Sequence, residues 1–423
     1  MKVLWFSNSP ALGSEFLNKD TKIKGTGGWM YALNSVLQNE VELSVAFHYP
    51  YEKSKFSYQN TSYFPVYTGN IIIENLKKRF LRKVYNEEFI KEYLSIINEV
   101  QPDIIHVHGT ENSFLSILGK TNIPVVISIQ GNLTIYQHKF FSGFHGKYLR
   151  TKNENISWKS ILFGRDSFYR GYKRMQAMAY IEQLHLISAQ NIIGRTDWDK
   201  RITRILAPNS NYFVGNEILR EGFYSQTWDN KFGKGKITLF TTNGNNYYKG
   251  FETVCHALNL LINIGLEVEW RVAGVSENSL INKIAKKHLG KNYPTFGLHL
   301  LGSLDEHNLI DELKQSHIYI MASHIENSPN NLCEAMILGM PCIATLAGGT
   351  GSLLKDGEEG ILIQDGDPWV MAGAVYELIN DSENAIAMGA KARKRALLRH
   401  NKPQILKELL ETYTIIIKSN HDR

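Results

Sequence analysis

Short apolar runs alternate with longer stretches of helical period along almost the whole chain. Val3–Phe6, Ile104–Val107, Val125–Ile129 and Asn191–Ile193 are apolar runs bounded by turn residues, the pattern of strands buried on both faces. Stretches of helical period at Trp29–Leu37, Glu87–Val100, Ser113–Leu118 and Tyr169–Leu184 predict helices between or after them. The series then repeats. Strands are predicted at Ile237–Thr241, Val268–Ala273, Leu298–Leu301, Ile318–Ala322, Cys342–Thr345 and Ile361–Ile363, with helices between them. Such alternation predicts parallel sheets covered by helices, and two series predict an α/β chain of two doubly wound domains. The boundary is expected within 206–235, where Pro208, Asn209, Gly215, Gly222, Gly233 and Gly235 interrupt any period. This divides the chain into 1–215 and 216–402, followed by a terminal helix with Ile405, Leu409, Tyr413, Ile416 and Ile417 as its apolar positions.

Composition narrows the classes. Of 423 residues, 43% are hydrophobic and 21% charged, ordinary values for a globular chain. The three cysteines, Cys255, Cys333 and Cys342, form no C-x-x-C pair, so neither a disulfide framework nor a Cys-rich zinc site is expected. The apolar run at the start ends at Ser7-Asn8-Ser9-Pro10, too short for a secretory signal. No stretch reaches the roughly 18–20 apolar residues that span a bilayer. The expectation is a soluble cytoplasmic protein, at most peripheral on the inner face of a membrane. The net charge of +6 is uneven: residues 1–200 hold 24 Lys and Arg against 17 Asp and Glu. A basic first half points to an anionic partner or to a merely solvated surface.

Residues 317–345 carry the most chemistry. The predicted strand Ile318–Ala322 leads into a polar loop, 323–330, and a helix over about Leu332–Leu338 that Gly339 and Pro341 stop. Asn331 is a good N-cap, and Glu334 three residues later completes the pattern of a capping box. Ligands of open α/β sheets sit beyond the carboxyl ends of the strands, and a helix start there offers free N–H groups to a phosphate. Glu326 in the loop and Glu334 in the first turn can both face a ligand placed over that helix start. Carboxylates accept hydrogen bonds from sugar hydroxyls, whereas phosphate repels them. A nucleotide sugar, with hydroxyls flanking a diphosphate, fits the pair.

E-x(7)-E in this setting, followed by Ala335-Met336, Gly339 and Pro341, resembles the retaining glycosyltransferases of the GT-B fold, family 4. Gly27-Gly28, the segment Pro102–Gly109, Pro208-Asn209, Lys249-Gly250 and Gly348-Gly349 match that family in order. The resemblance implies two Rossmann-like domains facing across a cleft, with the terminal helix packing back on the first. It implies that Glu334 holds the donor ribose and that Glu326 lies near the donor sugar. Lys249 falls on the diphosphate, Gly27 and Gly28 let backbone approach it, and Ser328, Asn330, Asn331 and Leu332 are further donor contacts. His108, at a strand end, and Gln130, where the family usually has His, are candidates at the reacting centre. Thr241–Tyr248 lacks the Arg often found before the lysine, and 350–352 lack a usual acid. No metal or other cofactor is expected.

Other signals are weaker. Asp197-Trp198-Asp199 and Asp365-Gly366-Asp367 match a metal-binding D-x-D, but both open predicted helices, where acids cap. The glycine pairs at 27–28 and 348–349 could each cradle a phosphate, though glycine turns are common. Residues 139–174 hold nine Lys or Arg, two acids and interleaved aromatics such as Phe140, Phe141, Phe144, Tyr148 and Trp158. That segment is the expected place for a glycan or polyprenyl-diphosphate-linked acceptor and an anionic membrane surface, unless its aromatics pack inward. No recognition motif for nucleic acid accompanies the charge. The leading reading is a sugar transferase of bacterial surface polysaccharide or lipopolysaccharide synthesis. The rivals are an inactive carbohydrate- or lipid-surface-binding paralogue and a nucleotide-sugar epimerase.

Overall fold

The structure is a computed structural model and describes residues 1–18, 28–68, 87–144, 168–229, 232 and 235–421. Two sheets carry the fold. The first has eight strands in the order β3-β4-β2-β1-β5-β6-β7-β8. They are β1 (Lys2–Ser7), β2 (Glu42–Tyr49), β3 (Phe56–Tyr58), β4 (Thr61–Tyr67), β5 (Ile104–His108), β6 (Val125–Ser128), β7 (Asn191–Gly194) and β8 (Asn211–Val214). All pairings are parallel except β3 with β4. The second sheet is wholly parallel, in the order β11-β10-β9-β12-β13-β14. Its strands are β9 (Ile237–Thr242), β10 (Val268–Ala273), β11 (Leu298–Gly302), β12 (Ile318–Met321), β13 (Cys342–Thr345) and β14 (Ile361–Ile363).

The central strands are apolar end to end because helices cover both faces: Val3–Phe6, Ile104–Val107 and Ile318–Met321 are buried throughout. Around each sheet lie two cores, one on each face. The sheets therefore match the expected two-series α/β architecture, with some local differences. β2, β3, β4 and β8 add strands that the apolar runs did not mark, and Ser113–Ile117 is a 3-10 turn rather than an α-helix.

The terminal helix, Lys402–His421, places Ile405, Tyr413 and Ile416 in the first domain's core. Tyr413 anchors it: its hydroxyl meets His106 Nδ1 at 2.6 Å and accepts from Trp5 Nε1 at 3.2 Å. His106 completes its bonding with Ser128 Oγ at 2.6 Å. Burial pushes the His106 imidazole down to about 3, so it serves the core as a neutral ring.

Candidate active site

The loop after β12 and the helix Asn330–Leu338 bring the two carboxylates to the carboxyl edge of the second sheet. Each holds a cation. Glu326 pairs with Lys249 Nζ and accepts from Ser323 Oγ at 2.9 Å. Glu334 receives a two-pronged bond from Arg220, Nε and Nη2 each at 2.7 Å. Both acids are buried, while Lys249 and Arg220 keep 28% and 23% of their side chains exposed. Burial pulls the Lys249 ammonium down, but the Glu326 charge outweighs it, and the net shift is upward. Burial raises the Glu334 carboxyl, and the Arg220 fork opposes that rise.

The capping box read from the sequence is not formed. The helix begins at Asn330 with Pro329 before it, and no side chain caps it. Asn331 instead accepts from the Leu332 N–H at 3.0 Å and donates to the Thr242 carbonyl at 3.3 Å. Glu334 turns away from the helix start because a guanidinium 114 residues away in sequence binds a carboxylate more strongly than a backbone amide does. The Leu332 side chain is core. Asn330 donates to Glu217 at 2.7 Å, and Ser328 is buried in the loop.

Lys249 is placed by its successor. Gly250 adopts φ 70°, and a Cβ there would collide with the Ala322 carbonyl at the end of β12, so the lysine turn lies against the acidic loop. Asn243, which stands where a cation was missing, is structural: it donates to the Lys249 carbonyl at 2.9 Å and accepts from Gly244 N–H at 2.7 Å. Gly348 and Gly349 also have a packing reason, since a Cβ on either would strike the carbonyl of Glu326 or Asn327. Gly28 opens the helix Gly28–Leu37, and a Cβ there would stand 2.7 Å from Arg220 Cγ and Cδ. Gly27 lies outside the described residues.

Across the interface, Asn327 ties the acidic loop to the first domain. Its Nδ2 donates to the Ile129 and Gln130 carbonyls at 3.3 and 3.4 Å, and Thr196 Oγ1 donates to its Oδ1 at 2.9 Å. Arg195 donates to the same carbonyls at 3.1 and 3.0 Å and pairs with Glu217. Gln130 and His108 line one cavity with Trp29, Ser128 and Arg195, so the structure brings these two candidates together. His108 is buried there, and among the described residues neither of its ring nitrogens has a hydrogen-bond partner. Burial, and then the His106 ring beside it, hold its pKa well below the usual imidazole value. It is a neutral group with donor and acceptor capacity to spare.

Neither D-x-D pattern forms a cation cage. Thr196 caps the helix Asp197–Leu206 in a true capping box with Asp199. Asp367 caps the helix Pro368–Asn380, but Asp365 does not: it pairs with Lys139 at 3.1 Å and His324 at 3.3 Å. Among the described residues no group of three or more His, Cys, Asp or Glu side chains is arranged to hold a metal ion.

The described start of the basic, aromatic segment packs inward. Phe140 and Phe144 join the second domain's core, with Phe141 and Tyr172 against it. Lys139 pairs with Asp365, and a Cβ on Gly143 would strike Glu252 and His324. This strap fastens the first domain to the second, which leaves these aromatics unavailable to a membrane. Residues 145–167, with Lys147, Arg150, Lys152, Lys159 and Arg165, lie outside the described residues.

His324, 2% exposed, lies between Glu252 at 2.7 Å and Asp365. Burial pulls its imidazole down, yet the two carboxylates raise it to about 9. A pKa raised in the folded state adds stability that is full below pH ~6.5 and is lost as pH rises through about 9. Between those values the loss is roughly 3 kcal/mol. Denaturant titrations at pH 6 and pH 9.5 should show this loss in the wild type and not in His324→Gln. Parallel curves for the two proteins would remove the charge from the strap.

Comparison with known proteins agrees with the two-sheet fold. The fold is the GT-B fold of glycosyltransferases. Sucrose-phosphate synthase from Thermosynechococcus elongatus superposes with a TM-score of 0.73 at 13% identity, over 99% of both chains. Anabaena HepE, in a structure with UDP-glucose, superposes with a TM-score of 0.61 at 13% identity, over 98% of this chain and 99% of that one. The family model described as Glycosyl transferases group 1 matches residues 225–395, the part that holds Lys249, Glu326 and Glu334.

Among curated proteins, N-acetyl-alpha-D-glucosaminyl L-malate synthase of Bacillus anthracis is 28% identical over 120 residues, 28% of this chain and 31% of that protein. The capsular polysaccharide biosynthesis glycosyltransferase CapM of Staphylococcus aureus is 27% identical over 107 residues, 25% of this chain and 28% of that protein. The chain thus matches less than a third of the length of either relative.

The sequence reading missed Arg220, Arg195, Asn327 and His324. Arg220 and Arg195 stand outside any motif it used. Asn327 and His324 lie within the acidic stretch, and their partners show only after folding.

Proposed function

We propose that the protein is a glycosyltransferase that moves a sugar from a nucleotide-sugar donor to a hydroxyl of a glycan or lipid-linked acceptor. The observation that carries this reading is the pair of buried carboxylate–cation units, Glu326–Lys249 and Glu334–Arg220, at one sheet edge facing the other domain. A nucleotide sugar presents ribose hydroxyls, a diphosphate and sugar hydroxyls in a row. Glu334 takes the ribose, Lys249 the diphosphate, and Glu326 the sugar side. His108 and Gln130 approach from the first domain, where the neutral imidazole can bind a hydroxyl without attracting phosphate.

Transfer in this reading retains anomeric configuration. The donor diphosphate oxygen takes the acceptor proton on the same face, so no protein nucleophile is needed. Lys249 offsets the charge that develops on the leaving group, which makes a metal unnecessary. The acceptor lies against the first domain, and a role in surface polysaccharide synthesis is supported by the name of the capsular relative. In this reading the remaining basic residues of 139–174 meet an anionic membrane surface. Among the described residues no helix is long and apolar enough to cross a membrane.

The test is a thermal-shift screen over nucleotides and nucleotide sugars in EDTA. A ligand at about 100 times its dissociation constant should stabilise the protein by ~2.7 kcal/mol. Glu334→Ala should weaken nucleotide-sugar and free nucleoside diphosphate alike, by about tenfold or more, the loss of a charged hydrogen-bonding partner. Full nucleotide affinity in folded Glu334→Ala would refute the ribose role. Binding that appears only with Mg²⁺ or Mn²⁺ would overturn metal independence.

A further inference from the structure

We infer that Arg220, from the segment joining the two sheets, binds the donor diphosphate and so supplies the second phosphate cation of the site. The inference rests on the donor reading above. Charge makes the problem plain. A nucleoside diphosphate brings two or three negative charges into a cleft whose Glu334 and Glu326 are already anionic. Lys249 alone cannot balance that, and Thr241–Tyr248 contributes no cation.

Arg220 stands where the deficit lies. It touches both halves of the chain: its guanidinium grips Glu334, and its Cγ and Cδ occupy the space that a side chain on residue 28 would fill. A guanidinium has five N–H donors, and Glu334 takes two of them, one from Nε and one from Nη2. The other three have no partner among the described residues. The side chain remains 23% exposed, and the ring of Phe223, 4.8 Å from its central carbon, supports the guanidinium plane.

A planar fork can hold a carboxylate on one edge and a phosphate oxygen on the other, which an ammonium cannot do with the same geometry. Glu334 and Arg220 then act as one unit. The carboxylate accepts from ribose, and the guanidinium donates to phosphate while cancelling the repulsion between that carboxylate and the diphosphate.

The experiment is calorimetric titration of wild type, Arg220→Lys and Arg220→Ala with UDP, UMP and uridine, with the ADP and GDP series in parallel. Arg220→Ala should weaken the diphosphate by tenfold or more and the bare nucleoside by less than threefold, with Arg220→Lys between. Removing Arg220 alone leaves Glu334 unpaired, so Glu334→Gln is compared with the double variant Arg220→Ala/Glu334→Gln. The diphosphate-selective loss should persist in the double variant. Equal losses for diphosphate, monophosphate and nucleoside would overturn the inference and reduce Arg220 to a neutraliser of Glu334. If the wild type binds no nucleotide of any series, the donor reading itself falls, and the inference with it.

Discussion

Turnover of Glu326→Gln is expected to fall by about 10²–10³-fold, while nucleoside diphosphate affinity holds or rises. The asymmetry follows from what the carboxylate holds. Glu326 pairs with Lys249 and receives the Ser323 hydroxyl in a loop whose backbone Gly349 N–H also engages, at 2.9 Å from the Glu326 carbonyl. The amide keeps the shape and the Ser323 contact but loses the charge. Lys249 is then freed to meet the phosphates in the ground state, so binding does not suffer. In the proposed transfer, positive charge develops on the sugar as the leaving group departs, and the substitution removes the anion assigned to that side. Single-turnover rates and direct titration with nucleoside diphosphate separate the two effects. A parallel drop in rate and affinity would make Glu326 a binding group only, and an unchanged rate would remove it from the site.

The largest stability effect is expected at Arg195. Its pair with Glu217 is 6% exposed on both sides, at the junction of the two domains. Removing one member of such a pair leaves a buried charge without compensation, which costs about 3–5 kcal/mol. Arg195→Met also leaves the Ile129 and Gln130 carbonyls with only the longer bonds from Asn327. The double variant Arg195→Met/Glu217→Met should recover much of the loss, because an apolar pair of similar volume replaces the charges. Urea midpoints of the single and double variants test this. A single variant as stable as the wild type would show that solvent reaches Glu217.

Local order determined what was legible without the structure. Apolar runs such as Ile104–Val107 and Ile318–Met321 read as strands because they are short, bounded by turn residues and buried on both faces. The span Glu87–Val100 is a helix with the bounds its period predicted. Glu326 and Glu334 were legible as a pair because a motif fixes their spacing, and Lys249-Gly250 because it matches an element of the same family in order.

The tertiary structure alone decided the partners. Nothing near Glu334 in sequence told a cap from an ion pair, since its partner lies 114 residues away in a stretch without period. Asp365 and Asp367 look alike in sequence, yet one binds His324 and Lys139 and the other caps a helix. Phe140 and Phe144 carry the same pattern whether they face lipid or a second domain, and only the approach of that domain assigns them to its core. Periodicity records which face of an element is buried. It holds no information about which distant element does the burying, and charges and aromatics in loops are assigned by that second fact.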